Sequence, residues 1–153
     1  MTIITFGIDD ALSRYREQMG NILVVDDNED MCQVISDVLR SEGYMVRIAN
    51  DGKSALNELK TEACDLLILD YKLFDMSGLD VLKETREIAP ALCTIMISAY
   101  GNELVKARAF ELGAYDFFDK PFDVNVLLKT VRKALSAGRG QGASSVEHVN
   151  AIR

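Results

Sequence analysis

Short apolar runs alternate with longer amphipathic stretches across residues 21–136 of this chain. The amphipathic stretches place apolar residues at the i, i+3, i+4, i+7 spacing of a helix face. The apolar runs have the length of β-strands, and they lie at 22–25, 45–49, 66–69, 94–97 and 115–118. Five strands that alternate with five helices predict an α/β fold, in which a parallel sheet carries helices on both faces.

The composition of each run indicates its place in the sheet. Runs 22–25 and 66–69 are apolar throughout, as expected for central strands that are buried on both faces. Run 45–49 alternates and contains Arg47, and run 115–118 is interrupted by Asp116. We therefore expect the first and third strands to be central and the second and fifth to be edges.

The first and last amphipathic stretches carry helix boundary signals. Asn28 precedes the first stretch as a candidate N-cap, and Gly43 follows it as a stop. In the last stretch the apolar face continues to Leu135, and Gly138 is predicted to end the helix.

The two ends of the chain lie outside the strand and helix alternation. Residues 1–19 are interpreted as an N-terminal extension, native or added for expression, with a short helix that Asp9 caps. Residues 138–153 are rich in Gly and Ser and are interpreted as a linker or tail. The predicted domain therefore spans residues 20–137.

Composition and charge exclude several classes of protein. The 153 residues suit one domain, and 48% hydrophobic with 27% charged residues is a globular composition. The 17 basic and 24 acidic residues give a net charge of −7, which argues against nucleic-acid binding by this domain. No apolar run reaches the roughly 20 residues that a membrane span requires. The sequence therefore favours a protein that binds neither nucleic acid nor membrane.

The cysteines indicate the redox compartment. Cys32, Cys64 and Cys93 are an odd number, lie far apart and form no zinc-binding spacing. We expect free thiols packed as small apolar groups, and a cytoplasmic location.

Polar side chains follow the predicted strands at their downstream ends. Asp26 and Asp27 follow the first strand, Asp70 the third, Ser98 the fourth and Lys120 the fifth. The carboxyl ends of parallel strands meet at one edge of a sheet, where ligands of such folds bind. The sequence therefore predicts three carboxylates, a hydroxyl and an ammonium group at one site.

These groups have the chemistry of a phosphoryl-transfer site. Three neighbouring carboxylates repel one another unless a cation is present, and oxygen ligands favour Mg²⁺. A carboxylate can also form an aspartyl phosphate, with Lys120 and Ser98 neutralising and binding the phosphoryl oxygens. Each residue alone is ordinary, since an Asp pair can simply end a strand and cap a helix. It is their joint placement that predicts a site.

The segments ILVVDDNED, LLILDYKLFDMSGLDVL, IMISAYG and GAYDFFDKPF resemble the receiver domain of bacterial two-component response regulators. The resemblance covers about residues 20–137. It implies a flavodoxin-like (βα)5 three-layer sandwich, with a doubly wound five-stranded parallel sheet of order 2-1-3-4-5. That order agrees with the central and edge strands assigned from composition.

The resemblance also implies roles at the acidic site. Asp70 would be the phosphoacceptor, taking a phosphoryl group from the phosphohistidine of a sensor histidine kinase or a histidine phosphotransfer protein. Asp26, Asp27 and Asp70 would hold Mg²⁺ together with the backbone carbonyl of Lys72. The chain would be a signalling phosphoacceptor and not an enzyme, catalysing only its own phosphorylation and slow dephosphorylation.

Further residues would read out the phosphorylation. Ser98 would hydrogen-bond the phosphoryl group, Lys120 would pair with it, and Phe117 would be the switch aromatic. The face formed by helix 4, strand 5 and helix 5 would then change and promote dimerisation or docking to an output partner. The resemblance also implies a cis bond between Lys120 and Pro121.

The sequence departs from the family pattern at several positions. Phe74 and Ser77 stand where the family usually has Pro and Asp, so the loop after the third strand is expected to differ in shape. Phe117 replaces the commoner Tyr. Lys72 and Tyr100 follow Asp70 and Ser98 by two residues, and we expect them to screen the acyl phosphate from water.

Two other functions use similar parts. A Mg²⁺-dependent phosphatase with an Asp nucleophile usually has a second Asp two residues later, whereas Asn28 and Glu29 stand at those positions. A flavin-binding domain needs a phosphate-binding loop after the first strand, where the Asp pair would repel phosphate. His148, the sole histidine, lies in the tail, which disfavours a His-bearing kinase or phosphotransfer protein.

Overall fold

The computed structural model describes residue 11 and residues 19–139 of the chain. The predicted N-terminal helix and most of the predicted tail therefore lie outside the described residues. Among the helices that are described, none has the length and apolar character needed to cross a bilayer.

Strands and helices alternate along the described chain. The strands are Asn21–Val25 (β1), Met45–Ala49 (β2), Leu66–Asp70 (β3), Cys93–Ser98 (β4) and Asp116–Asp119 (β5). The helices are Glu29–Ser41 (α1), Gly52–Thr61 (α2), Gly78–Ile88 (α3), Glu103–Glu111 (α4) and Val124–Arg139 (α5). All strand pairs are parallel, and the sheet order is β2-β1-β3-β4-β5. The predicted fold class and strand order are confirmed, with β5 one residue later than predicted.

The sheet separates two apolar cores. On β1, Ile22 and Val24 face a core that includes residues of α1 and α5. Leu23 and Val25 face the opposite core, built with residues of α2 and α3. All four side chains are fully buried, and so are the apolar residues of β3. Burial of an aliphatic side chain is worth about 1.5–3 kcal/mol, so the continuous apolar pattern of the central strands stabilises both layers at once.

The predicted boundaries of α1 are confirmed. The Asn28 side chain accepts a hydrogen bond from the Met31 N–H at 3.1 Å, which makes it the N-cap. At the other end Gly43 has a φ of 96°, and its N–H and that of Tyr44 donate to carbonyls of the last helical turn. This left-handed termination needs glycine because a Cβ is strained there.

The prediction that Gly138 ends α5 was wrong. The helix continues through Gly138 to Arg139. Gly138 is not among the glycines of positive φ in the described chain, so it does not reverse the chain direction. Its cost inside a helix is only about 1 kcal/mol relative to alanine, which the packing of Ala134 and Leu135 in the core one turn earlier offsets.

Candidate functional site

The carboxylates of Asp26, Asp27 and Asp70 come together at the carboxyl edge of the sheet. One carboxylate oxygen of each lies within 4.8 Å of the others. Asp26 is fully buried, Asp70 is 5% exposed, and Asp27 is exposed. The juxtaposition predicted from the strand ends is therefore present. The carboxylates of Asp26 and Asp70 are buried, and that of Asp27 lies at the surface.

Lys120 is the cation that faces this cluster. Its Nζ lies 2.7 Å from Oδ2 of Asp26 and 3.4 Å from Oδ1 of Asp70. The Lys120 N–H donates to the Ser98 carbonyl at 2.8 Å, which fixes the backbone of the lysine beside β4. The Lys120–Pro121 peptide is cis, as expected. One ammonium group thus faces two buried carboxylates.

The shared cation leaves excess negative charge in the cluster. Burial and the charge of Asp26 raise the pKa of Asp70 to about 7, although Lys120 opposes the shift. Burial alone would lower the pKa of Lys120, but the hydrogen bond to Asp26 and the charge of Asp70 raise it. The lysine is therefore charged at neutral pH, and a further cation would relieve the remaining repulsion.

Ser98 ends β4 at the same edge of the sheet and is 1% exposed. Its Oγ accepts a hydrogen bond from the Tyr100 N–H at 2.9 Å. The hydroxyl proton of Ser98 stays available as a donor, because accepting a bond does not use it. A phosphoryl oxygen is the kind of acceptor that this proton would bind.

The loop between β3 and α3 folds tightly against the end of β3. The Tyr71 N–H donates to the Ile97 carbonyl at 2.9 Å, and the Gly78 N–H donates to the Tyr71 carbonyl at 2.5 Å. A Cβ at Gly78 would overlap the Asp70 carbonyl oxygen, so this position requires glycine. Lys72 and Ser77 form an isolated antiparallel bridge that closes the loop.

Lys72 and Tyr100 meet above a cavity of about 460 Å³ between the β3–α3 and β4–α4 loops. Nζ of Lys72 lies 4.7 Å from the centroid of the Tyr100 ring, within range of a cation–π contact. Tyr100 is 65% exposed. The two residues that were expected to screen the site are therefore in contact with each other, while Phe74 on the same loop is 80% exposed.

Phe117 lies in β5 beside the first turns of α4. Nζ of Lys106 is 5.8 Å from its ring centroid and 2.6 Å from Oδ2 of Asp119. A Cβ at Gly101 would lie 2.6 Å from Cε1 of Phe117, so the β4–α4 loop also covers the ring. Only Ala109 of α4 is buried among the described residues of that helix. The Lys106–Asp119 pair therefore ties a lightly anchored helix to β5.

The three cysteines are free thiols, as predicted. Burial raises the pKa of Cys32 and of Cys64 to about 11 and that of Cys93 to about 12. None of the three thiols is therefore ionised at neutral pH.

Four residues near the site were not identified from the sequence: Asn50, Asp75, Gly78 and Lys106. Asn50, Asp75 and Lys106 have partners on other loops or strands, so no local spacing in the sequence indicates them. For Gly78 the sequence does hold a signal, since the glycine stands at the start of a helix in the SGL segment after Asp70.

Known proteins resemble this chain in sequence and in fold. A sequence model described as the response regulator receiver domain matches residues 22–132. The transcriptional regulatory protein ZraR of Escherichia coli (strain K12) is 35% identical over 116 residues, which cover 76% of this chain and 26% of that protein. The chain thus spans about a quarter of the length of that relative.

Two solved structures are also similar. The CheY-like receiver domain protein of Methanospirillum hungatei JF-1 has a TM-score of 0.78 and 27% identity, with 80% of this chain and 98% of that chain covered. A response regulator protein from Burkholderia pseudomallei, solved with a phosphorylated aspartic acid, calcium ion and citrate, has a TM-score of 0.70 and 26% identity. Its coverage is 81% of this chain and 73% of that chain.

Proposed function

This chain belongs to the response regulator receiver domain family, and from that premise we propose that Asp70 accepts a phosphoryl group from a phosphohistidine. The donor would be a sensor histidine kinase or a histidine phosphotransfer protein in the cytoplasm. The observation that carries the proposal is the placement of Asp70 beside Asp26, Asp27 and the Lys120 ammonium at one sheet edge. The similar Burkholderia pseudomallei protein was solved with a phosphorylated aspartic acid.

The acidic cluster fits a divalent cation. Three carboxylate oxygens within 4.8 Å of one another are hard ligands, and the side chains of Asp26 and Asp70 are too buried for water to screen their charges. Asp26, Asp27 and Asp70 would hold Mg²⁺, with the Lys72 carbonyl as a further oxygen ligand. Bound Mg²⁺ would supply positive charge next to the transferred phosphoryl oxygens.

The protein groups would perform the transfer by positioning and charge. An Asp70 oxygen attacks phosphorus, the bond from phosphorus to the imidazole nitrogen of the donor breaks, and that nitrogen keeps the electron pair. Lys120, already 3.4 Å from Asp70, would pair with a phosphoryl oxygen. The Ser98 hydroxyl would donate to another.

Phosphorylation would then change the face formed by α4, β5 and α5. Movement of Ser98 toward the phosphoryl group would draw in the β4–α4 loop, whose Gly101 abuts the Phe117 ring. Phe117 would follow, and dimerisation or docking of an output partner would use the altered face. Residues 20–137 would form the receiver domain, with 1–19 and 138–153 as extension and linker.

Intact-mass measurement tests the phosphoacceptor proposal. The protein is incubated with Mg²⁺ and acetyl phosphate, and we expect the mass of one phosphoryl group to be added. A parallel sample with chelator should gain none. An unchanged mass together with turnover of unrelated phosphoesters would contradict the proposal and favour a hydrolase.

The Lys72–Tyr100 contact is expected to lengthen the lifetime of the acyl phosphate. Lys72→Ala and Tyr100→Ala should each shorten the half-life measured after removal of acetyl phosphate, since each removes half of the contact that covers the cavity between the β3–α3 and β4–α4 loops. Phe74→Ala is the matched control, because its side chain is on the same loop but 80% exposed. Half-lives equal to that of the parent would show that this pair does not screen the site.

The Lys106–Asp119 ion pair is expected to oppose the switch. Lys106→Met should raise the affinity for beryllium fluoride, a phosphoryl analogue, by about two- to five-fold, because the switch would have to break this exposed ion pair and such pairs contribute little. Calorimetric titration in the presence of Mg²⁺ measures the affinity. Arg108→Met is the control, since Arg108 pairs with Glu111 inside α4 at 3.1 Å and does not reach β5. Equal affinities for both variants would contradict the expectation.

A further inference from the structure

The turn between β2 and α2 is hydrogen-bonded to the segments that follow β1 and β3, next to the acidic cluster. On one side, Nδ2 of Asn50 donates to the Asp26 carbonyl at 3.1 Å. On the other, Oδ1 of Asp75 accepts from the Gly52 N–H at 2.9 Å, and Oδ2 accepts from the Lys53 N–H at 3.0 Å. Four consecutive residues, 50–53, thus connect the end of β1 with the loop after β3.

The hydrogen bonds of Asp75 hold the tip of the β3–α3 loop, away from its base. The base of that loop is closed by the Lys72–Ser77 bridge. Asp75 lies near the middle of the loop, and its neighbour Met76 packs so closely on Gly52 that a Cβ there would lie 2.5 Å from the Met76 Sδ. The loop is therefore fastened to the N-terminus of α2 by a carboxylate and a side-chain contact together.

Charge favours the same contact. The little burial that Asp75 has would raise its pKa, but the N–H groups of Gly52 and Lys53 outweigh this and lower it. Asp75 is therefore an anion at neutral pH and lies at the positive end of the α2 dipole. A charged acceptor makes stronger hydrogen bonds than a neutral one, so the ionised Asp75 carboxylate holds the loop more firmly against α2.

The bonded turn has a consequence for the cluster itself. The carboxylates of Asp26 and Asp70 repel each other and share one ammonium group, so the remaining repulsion would favour separation of the loops after β1 and β3. Loops that separate in the metal-free protein must be brought together again when a cation binds, which weakens binding. A tie between the two loops removes that cost.

We infer that Asp75 and Asn50 are positioning residues, which hold the two ligand-bearing loops together through the β2–α2 turn and thereby raise the affinity of the cluster for Mg²⁺. This inference rests on the proposed function. Neither residue would be a ligand of the cation; each would act through the backbone that carries the ligands, as outer hydrogen-bond partners do at other metal sites.

Calorimetric titration with Mg²⁺ alone tests the inference. Asp75→Ala should weaken Mg²⁺ binding by about ten-fold, the lower end of the effect of outer-shell partners. Asp51→Ala is the matched control, because Asp51 caps the same helix through the Ser54 N–H at 2.6 Å, from within the β2–α2 turn itself. Asp51→Ala should lower the unfolding midpoint about as much as Asp75→Ala does, and it should leave the Mg²⁺ affinity near that of the parent. Equal affinities in the two variants would overturn the inference.

A double variant distinguishes positioning from general loosening. If the turn is one connection, breaking it at Asn50 or at Asp75 detaches the loops equally, so Asn50→Ala with Asp75→Ala should bind Mg²⁺ no more weakly than Asp75→Ala alone. Additive losses would contradict a shared connection. If Asp75→Ala does not fold, Asp75→Asn is used instead, because the amide keeps one acceptor oxygen. We expect it to lose an intermediate amount of Mg²⁺ affinity.

The proposed function can fail independently of this inference. Absence of phosphorylation in the parent protein would remove the phosphoacceptor role, whereas the contrast in Mg²⁺ affinity between Asp75→Ala and Asp51→Ala would be unaffected. Parent-like phosphorylation with no such contrast would remove the positioning role alone.

Discussion

Asp70→Asn is expected to abolish phosphorylation by acetyl phosphate while the protein remains folded. The amide has nearly the shape of the carboxylate but lacks the nucleophilic oxygen, and the 5% exposure of Asp70 leaves little room for another group to replace it. Intact mass in the presence of Mg²⁺ is the measurement. Phosphoryl addition at the rate of the parent would show that another residue is the acceptor.

The same variant should be more stable than the parent when Mg²⁺ is absent. The asparagine removes a buried negative charge that the Asp26 carboxylate repels, and Lys120 keeps its 2.7 Å contact with Asp26. We expect the free energy of unfolding in chelator to rise by about 1 kcal/mol or more, as measured by denaturant titration. Asp27→Asn is the control: Asp27 is exposed, so its loss should weaken Mg²⁺ binding with little change in stability.

Lys120→Met is expected to cause the largest loss of stability. The lysine is the only cation within 4.0 Å of Asp26 or Asp70 among the described residues, and its removal leaves two buried carboxylates without a positive charge beside them. Breaking a buried pair in this way costs about 3–5 kcal/mol. Methionine keeps most of the apolar stem, so the change reports mainly on charge.

Mg²⁺ should restore part of this loss, because the cation would neutralise the same carboxylates. Denaturant unfolding of Lys120→Met with chelator and with saturating Mg²⁺ measures the restored fraction. Lys106→Met is the matched control: its ion pair with Asp119 is partly exposed, so its loss should lower the free energy of unfolding much less than the loss of Lys120 does. Equal losses in the two lysine variants would mean that the buried carboxylates do not depend on Lys120.

The arrangement of the strands could be read from side-chain patterns because burial on two faces leaves a continuous apolar run. β1 and β3 have this pattern and are central, whereas Arg47 marks β2 as an edge. In the structure Nη1 of Arg47 reaches Oε2 of Glu58 on α2 at 2.8 Å, which an edge position permits. Glycine signals were less reliable, since Gly43 ends a helix and Gly138 does not. Only the backbone φ separates the two cases.

By itself the sequence determined the fold class and which strands are central or at an edge, while the full strand order came from the family resemblance. It also determined the gathering of Asp26, Asp70 and Lys120, because strand ends in a parallel sheet meet at one edge whatever the loops do. Only the tertiary structure decided which loops touch. The Asp75 contact with Gly52, the Asn50 contact with Asp26 and the Lys106 contact with Asp119 join residues 23, 24 and 13 positions apart. A hydrogen bond tolerates only a few tenths of an ångström of variation in its donor–acceptor distance. Loop positions at that precision are set by the packing of the whole domain and not by local sequence spacing.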